Sequence, residues 1–171
     1  MSFSTYPKAH IGLQTSNLEA AIDFYTHLFG EAPVKTRPGY AKFLLNSPPM
    51  NIALNEHSRV VPSPGHFGIQ LATTEDVIAR KAAIEPHYEV ETEMSVQCCY
   101  ARQDKFWATD PDGNRWEIFV FHEDVEENDP QYQRTVPQAA GVAAQACCGP
   151  DAQQVIVAHT RIGGSGWSAL S

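Results

Sequence analysis

His10-Ile11-Gly12-Leu13-Gln14 recurs as His66-Phe67-Gly68-Ile69-Gln70, 56 residues further along the chain. The register holds beyond the pentapeptide, with Glu19 matching Glu75 and Ile22 matching Ile78. Five identities at one offset, with Leu13 against Ile69 between them, mark an internal duplication. Each copy opens as a strand. Alternation puts His10, Gly12 and Gln14 on one face and Ile11 and Leu13 on the other, and the second copy repeats the pattern. The aliphatic face suits packing on a helix. The His-Gly-Gln face suits a cavity wall, because a mid-strand Gly lets another group approach the backbone.

A helix follows each strand. Ser16-Asn17-Leu18-Glu19 reads as a capping box, and Leu18, Ala21, Ile22, Tyr25 and Leu28/Phe29 fall at helical spacing up to Gly30. The second helix opens near Thr73 or Thr74, carries Val77, Ile78, Ala82 and Ile84, and stops at Pro86. Three strands then complete each copy, expected near 33–37, 40–46 and 50–55, and near 88–96, 103–110 and 114–122. The fold class is therefore α+β, with two β-α-β-β-β modules at about 8–56 and 64–122 whose half-barrel sheets pair around a pocket. Together they fill residues 1–125.

Asp110-Pro111-Asp112-Gly113 is a tight-turn sequence. Pro presets φ at the second position, Gly suits the fourth, and Asp accepts from the turn's own backbone. The strand returning from it carries Glu117 on one face with Arg115, Phe119 and Phe121. A carboxylate beside two Phe is costly to bury without a cation, which a Lys, an Arg or a metal can supply.

The net charge of −8 and the lack of any Lys/Arg run exclude nucleic acid and anionic membrane surfaces as partners. No apolar stretch reaches transmembrane length, and Met1 to Lys8 lacks a signal-peptide core, so a cytoplasmic location is expected. The four cysteines form two adjacent pairs, Cys98-Cys99 and Cys147-Cys148. Neighbours make poor disulfides, so free thiols in a reducing compartment are expected. After residue 125 an acidic run gives way to Ala, Gln and Gly, and 126–171 reads as a disordered tail.

His10 and His66 occupy equivalent positions in the two copies, and Glu117 ends the second. Two His and one carboxylate make the facial ligand set that leaves positions open on Fe(II). The competing reading makes each His a hydrogen-bonded core residue and pairs Glu117 with Arg115 or Lys105.

The paired modules, the strand-opening His10 and His66, and Asp110-Pro111-Asp112-Gly113-Asn114-Arg115-Trp116-Glu117 resemble the vicinal oxygen chelate superfamily. That group includes glyoxalase I, bleomycin-resistance proteins and extradiol dioxygenases. The resemblance implies a metal pocket between the modules, with His10, His66 and Glu117 as ligands. Many members add a ligand from the last strand of the first module, but here Met50 to Glu56 has none in its middle, leaving Glu56 or water.

Cys98-Cys99-Tyr100-Ala101-Arg102-Gln103-Asp104-Lys105-Phe106-Trp107, with Arg37-Pro38-Gly39-Tyr40-Ala41, further resembles the organoarsenical carbon–arsenic lyases and the related cadmium-induced proteins. The resemblance implies an Fe(II)-dependent dioxygenase that takes a trivalent methyl- or aryl-arsenical and O₂ and releases arsenite. Cys98 and Cys99 would hold the arsenic, since thiolates select soft centres. The competing reading is a pair of small buried residues, and alternation lets at most one of the two face a sheet core unless a bulge or loop turns both inward. Tyr100, Lys105 and Trp107 are candidates for pocket wall or lid. Cys147 and Cys148 are candidates for capture by the tail. The alternatives are a protein that sequesters cadmium or arsenical without turnover, and another enzyme of the superfamily, such as an extradiol dioxygenase or a glyoxalase-type isomerase. Monomer and homodimer are both compatible with the sequence.

Overall fold

The computed structural model describes residues 6–132. The first module comprises β1 (Ala9–Thr15), α1 (Leu18–Phe29), β2 (Lys35–Arg37), β3 (Tyr40–Asn46) and β4 (Pro49–Glu56). The second comprises β5 (His66–Leu71), α2 (Thr74–Ile84), β6 (Val90–Cys98), β7 (Ala101–Thr109) and β8 (Arg115–Asp124). Each module forms a four-stranded mixed sheet, in the orders β1-β4-β3-β2 and β5-β8-β7-β6. The opening strand runs parallel to the last strand of its own module, and the other pairs are antiparallel. This is the duplicated α+β architecture expected from the repeat, with most strand ends within two residues of their expected places.

Side-chain chemistry fixes the local ends. α1 is capped by Asn17, whose side chain accepts from the Ala20 N–H, and not by Ser16. Ser16 donates both its N–H and its hydroxyl to Asp112, 2.8 and 2.6 Å away in the second module. Gly30 ends α1 at φ 71°, in the left-handed region where Gly costs least. Thr73 caps α2 by accepting from the Asp76 N–H.

A single apolar core joins the modules. Phe24, Tyr25, Leu28, Phe43 and Ile52 of the first lie in one cluster with Phe106, Trp116 and Ile118 of the second. α1 lies between the two sheets, for Tyr25 meets Phe43 of β3 on one side and Trp116 of β8 on the other. Alternation along the strands then directs the polar faces of both sheets away from this core.

Asp110, at the turn before β8, ties the core together. Its Oδ1 accepts from the Asp112 and Asn114 N–H groups, and its Oδ2 accepts from the Tyr25 hydroxyl at 2.6 Å. Tyr25 accepts in turn from the Trp116 indole N–H at 3.2 Å. Burial, reinforced by Asp110, pushes the Tyr25 hydroxyl far above its ordinary range, so it remains a donor.

Tyr25→Phe leaves the Trp116 N–H without an acceptor and takes one donor from Asp110. The expected cost is about 1–3 kcal/mol, read as a lower urea midpoint with an unchanged m-value. Asp112 gives a pH-dependent counterpart. Burial would raise its carboxyl, but bonds from Ser16 and Thr15 outweigh it and hold the group below its ordinary range. A depressed folded-state value stabilises above the unfolded pKa and is lost as pH falls through the folded one. Asp112→Asn should flatten the acid limb of the stability curve below about pH 4, measured as urea midpoint against pH.

Candidate metal and thiol site

The strand pairing decides which residues share the polar face of the second sheet. Gly68 and Trp107 both lie opposite Glu117, His66 lies opposite Arg115, and Glu93 opposite Lys105. His66 Nε2 stands 3.4 Å from Glu117 Oε2. The Lys105 ammonium donates to Glu117 Oε1 at 2.9 Å and lies 3.4 Å from Glu93. Lys105 is only 1% exposed. Its Nζ sits 5.3 Å from the Trp107 ring and 5.7 Å from that of Tyr132. Burial would lower the Lys105 pKa, but Glu117 first, then Cys98 and Glu93, outweigh it and hold the group charged, above its ordinary value. Trp107 is also flanked by the Arg115 guanidinium at 4.4 Å and by the His66 ring at 5.1 Å. Its buried indole N–H has no acceptor among the described residues.

A β-bulge brings Cys98 to this face. The β6–β7 register shifts by one residue between Glu93 and Val96, with Ser95 at φ 53° and its N–H bonded to Asp104. A one-residue shift exchanges faces, so Cys98, opposite Ala101, shares the face of Gln103 and Lys105. Cys99 and Tyr100 then form a two-residue turn, both with positive φ (58° and 62°), where a side chain costs roughly 1–2 kcal/mol per residue. Cys98 is buried and Cys99 exposed, with their sulfurs 3.4 Å apart. Neither forms a disulfide among the described residues.

The strained turn is held by the segment that follows β8. Asn128 Oδ1 accepts from the Tyr100 N–H at 2.7 Å, and the Val125 N–H donates to the Tyr100 carbonyl at 2.8 Å. Asp129 exchanges two bonds with Gln97, accepting its N–H at 2.9 Å and donating its own to the Gln97 carbonyl at 2.8 Å. A short 3-10 turn, Pro130–Tyr132, then puts the Tyr132 ring near Lys105, where burial and a hydrogen bond to Glu93 push its hydroxyl up. The folded unit therefore runs beyond residue 125. Residues 126–132 pack on it, and Asn128 is buried. The rest of the expected tail, including Cys147 and Cys148, lies outside the described residues.

The remaining site candidates fall elsewhere. His10 is exposed on β1, and its Nδ1–H donates to the Asn51 carbonyl at 2.9 Å. That bond leaves the Nε2 lone pair available, the usual arrangement of a ligating His. The 3.4 Å between His66 Nε2 and Glu117 Oε2 is compatible with one ion, since bonds of about 2.1 Å in cis or tetrahedral positions separate two donors by roughly 3.0–3.4 Å. Among the described residues, however, no group of three or more His, Cys, Asp or Glu side chains is placed to hold a metal. One chain thus joins His66 to Glu117 but does not bring His10 to them. Glu56 is engaged at the start of α1, where its Oε1 accepts from the Leu18 N–H. Tyr100 stands exposed at the turn, whereas Lys105 and Trp107 lie in the buried wall. Glu93, Asn128, Asp129 and Tyr132 were not anticipated, and only Asp129-Pro130, a turn signal, hinted at a folded segment after β8.

Residues 9–118 match the glyoxalase/bleomycin resistance protein/dioxygenase superfamily. The chain belongs to it. Curated relatives of this superfamily member extend over most of its length. A trivalent organoarsenical cleaving enzyme of Bacillus sp. (strain MD1) is 46% identical, covering 84% of this chain and 91% of its own. The cadmium-induced protein CadI of Mycobacterium tuberculosis is 34% identical over 83% of this chain and 93% of its own. Among solved structures, a glyoxalase/bleomycin resistance protein/dioxygenase from Alicyclobacillus acidocaldarius superposes with a TM-score of 0.54 at 16% identity, covering 68% of this chain and 92% of that one. The last comparison bears on fold alone. Within the described residues no helix is long and apolar enough to cross a membrane.

Losing the Asn128 and Asp129 bonds removes support worth about 1–3 kcal/mol. In Asn128→Ala/Asp129→Ala the turn should open more often, so that the buried Cys98 reacts with maleimide roughly tenfold faster. Mass spectrometry of the labelled site over time measures this.

Proposed function

We propose that this chain is a trivalent organoarsenical cleaving enzyme, an Fe(II)-dependent dioxygenase that converts a methyl- or aryl-arsenical to arsenite. The observation that carries the reading is the dithiol turn beside the face of Lys105, Glu117 and His66. Two sulfurs 3.4 Å apart subtend roughly 95° at a shared soft atom bonded at about 2.3 Å, which suits a pyramidal trivalent centre. In the capture step each thiol forms one As–S bond. Its proton leaves with an arsenic hydroxyl as water, so RAs(OH)₂ loses two waters and keeps its carbon. Arsenic stays trivalent throughout.

His10, His66 and Glu117 are the proposed Fe(II) ligands, and the metal would supply oxygen activation. The chain's own residues hold the other parts. The clamp from Asn128 and Asp129 fixes the dithiol. Lys105 places a positive charge beside the Glu117 carboxylate, within electrostatic reach of Cys98. Trp107 supplies an apolar wall with an open N–H donor. The 46% identity to a protein named for this activity supports the same reading.

A second reading, sequestration of cadmium or an arsenical without turnover, draws on the likeness to cadmium-induced proteins. Oxygen uptake separates the two. Iron-loaded protein given methylarsenite should consume O₂ and yield arsenite, seen by arsenic speciation, whereas sequestration consumes none. Cys98→Ser and Cys99→Ser make capture monodentate and forgo an effective concentration in the millimolar range or above. Each should weaken arsenical binding by about 10²-fold or more, followed by tryptophan fluorescence, while iron content stays at the wild-type level. Retained arsenical turnover in both Ser variants would sink the reading.

A further inference from the structure

β6 exchanges faces only for its last residues. Glu93 lies opposite Lys105 and Val96 opposite Gln103, so one residue is extra between them, and the exchange reaches Val96, Gln97 and Cys98 alone before the turn. Without the bulge the ladder from Glu93 would put Val96 opposite Arg102 and Gln97 opposite Ala101. Cys98 would then join Cys99 and Tyr100 in a loop of three, a length that hairpins readily accept. The backbone therefore does not forbid the regular register. The observed one carries Ser95 at φ 53°, a conformation unfavourable to any residue with a Cβ.

Asp104 holds this bulge from β7. Its Oδ1 accepts from the Ser95 N–H at 2.7 Å, and its Oδ2 accepts from the Thr74 hydroxyl at 2.6 Å and the His122 Nε2–H at 2.8 Å. Asp104 is buried, and alternation puts its side chain on the face opposite to that of Lys105. Burial would raise its carboxyl, but bonds from Thr74, Ser95 and His122 outweigh it and hold the group below its ordinary range. The bond to Ser95 is therefore charge-assisted, the stronger class. α2, through Thr74, and β8, through His122, both brace the one carboxylate that receives the bulge N–H.

We infer that Asp104, braced by Thr74 and His122, is a positioning residue for thiol capture: it holds the Ser95 bulge and so aims Cys98 into the site. The role rests on the proposed capture of an arsenical by both thiols. The clamp from Asn128 and Asp129 holds the turn itself, whereas Asp104 decides on which face the turn begins.

The test reads register and capture separately on the full chain. Cross-strand nuclear Overhauser contacts should pair Val96 with Gln103 in the wild type and Val96 with Arg102 in Asp104→Ala. Phenylarsenite, followed by tryptophan fluorescence, should bind Asp104→Ala about 10²-fold more weakly, as it does Cys98→Ser. Two rescues separate positioning from general support of the fold. Asp104→Asn keeps an oxygen for the Ser95 N–H and should keep the wild-type register. Ser95→Gly added to Asp104→Ala removes the strain that Asp104 offsets, since Gly enters positive φ freely, and should regain both register and affinity. Should Asp104→Ala fail to fold, Thr74→Val/His122→Phe takes its place, with an expected loss of about tenfold. A wild-type register in the variant overturns the inference, and so does a shifted register with unchanged phenylarsenite affinity. A loss that Ser95→Gly does not restore overturns it as well. A wild type that does not bind phenylarsenite sinks the proposed function instead, and the register contacts still decide whether Asp104 holds the bulge.

Discussion

One buried carboxylate sets the relation between the two halves of the molecule. Asp110 satisfies the backbone of its own turn with one oxygen and accepts the Tyr25 hydroxyl of the other module with the second. Burying such a group is costly unless its acceptor capacity is used. Here it is used by the turn backbone, the Asn114 amide and Tyr25. Tyr25 in turn orients Trp116, and Trp116 stands next to Glu117 on β8 with its side chain on the opposite face. One residue thus serves as turn former, as link between the modules and, through Tyr25 and Trp116, as support for the strand that carries Glu117.

The site face is charged, and its charges are buried together. Lys105, Glu117 and Glu93 lie beneath Tyr132 and beside Trp107. An isolated ammonium there would lose several kcal/mol of hydration. Two carboxylates and two aromatic faces offset that loss, and Lys105 stays ionised. A cation arriving at His66 and Glu117 would therefore compete with Lys105 for one carboxylate. Glu93 lets Lys105 keep a counter-charge when it gives up Glu117.

How far the sequence revealed this depends on range. The duplication, both helices, the Asp110–Gly113 turn and the pairing of His66 with Glu117 follow from local periodicity and repeat symmetry. The cap on α1 shifted from Ser16 to Asn17 because Ser16 had a partner 96 residues away, which no local rule contains. Alternation raises a bulge or loop near Cys98 but does not place it at Ser95, for a like reason: its support is Asp104 on the next strand. The segment at 126–132 reads as tail because its composition is acidic and polar. It folds by hydrogen bonds to strained backbone, not by apolar burial, and composition registers only the latter.

The dithiol shows why strain is useful here. Two neighbours on a regular strand point to opposite faces, so a strand cannot present both sulfurs to one atom. At Cys99 and Tyr100 the chain enters the left-handed region twice in succession, and only then do the sulfurs of Cys98 and Cys99 come within 3.4 Å. A Gly at either position would relieve the strain, but Gly at 99 removes a sulfur. The cost is instead offset by Asn128 and Val125, which bond the N–H and carbonyl of Tyr100. The bulge settles which face Cys98 occupies, the turn settles the spacing between the sulfurs, and the segment after β8 keeps the arrangement from relaxing.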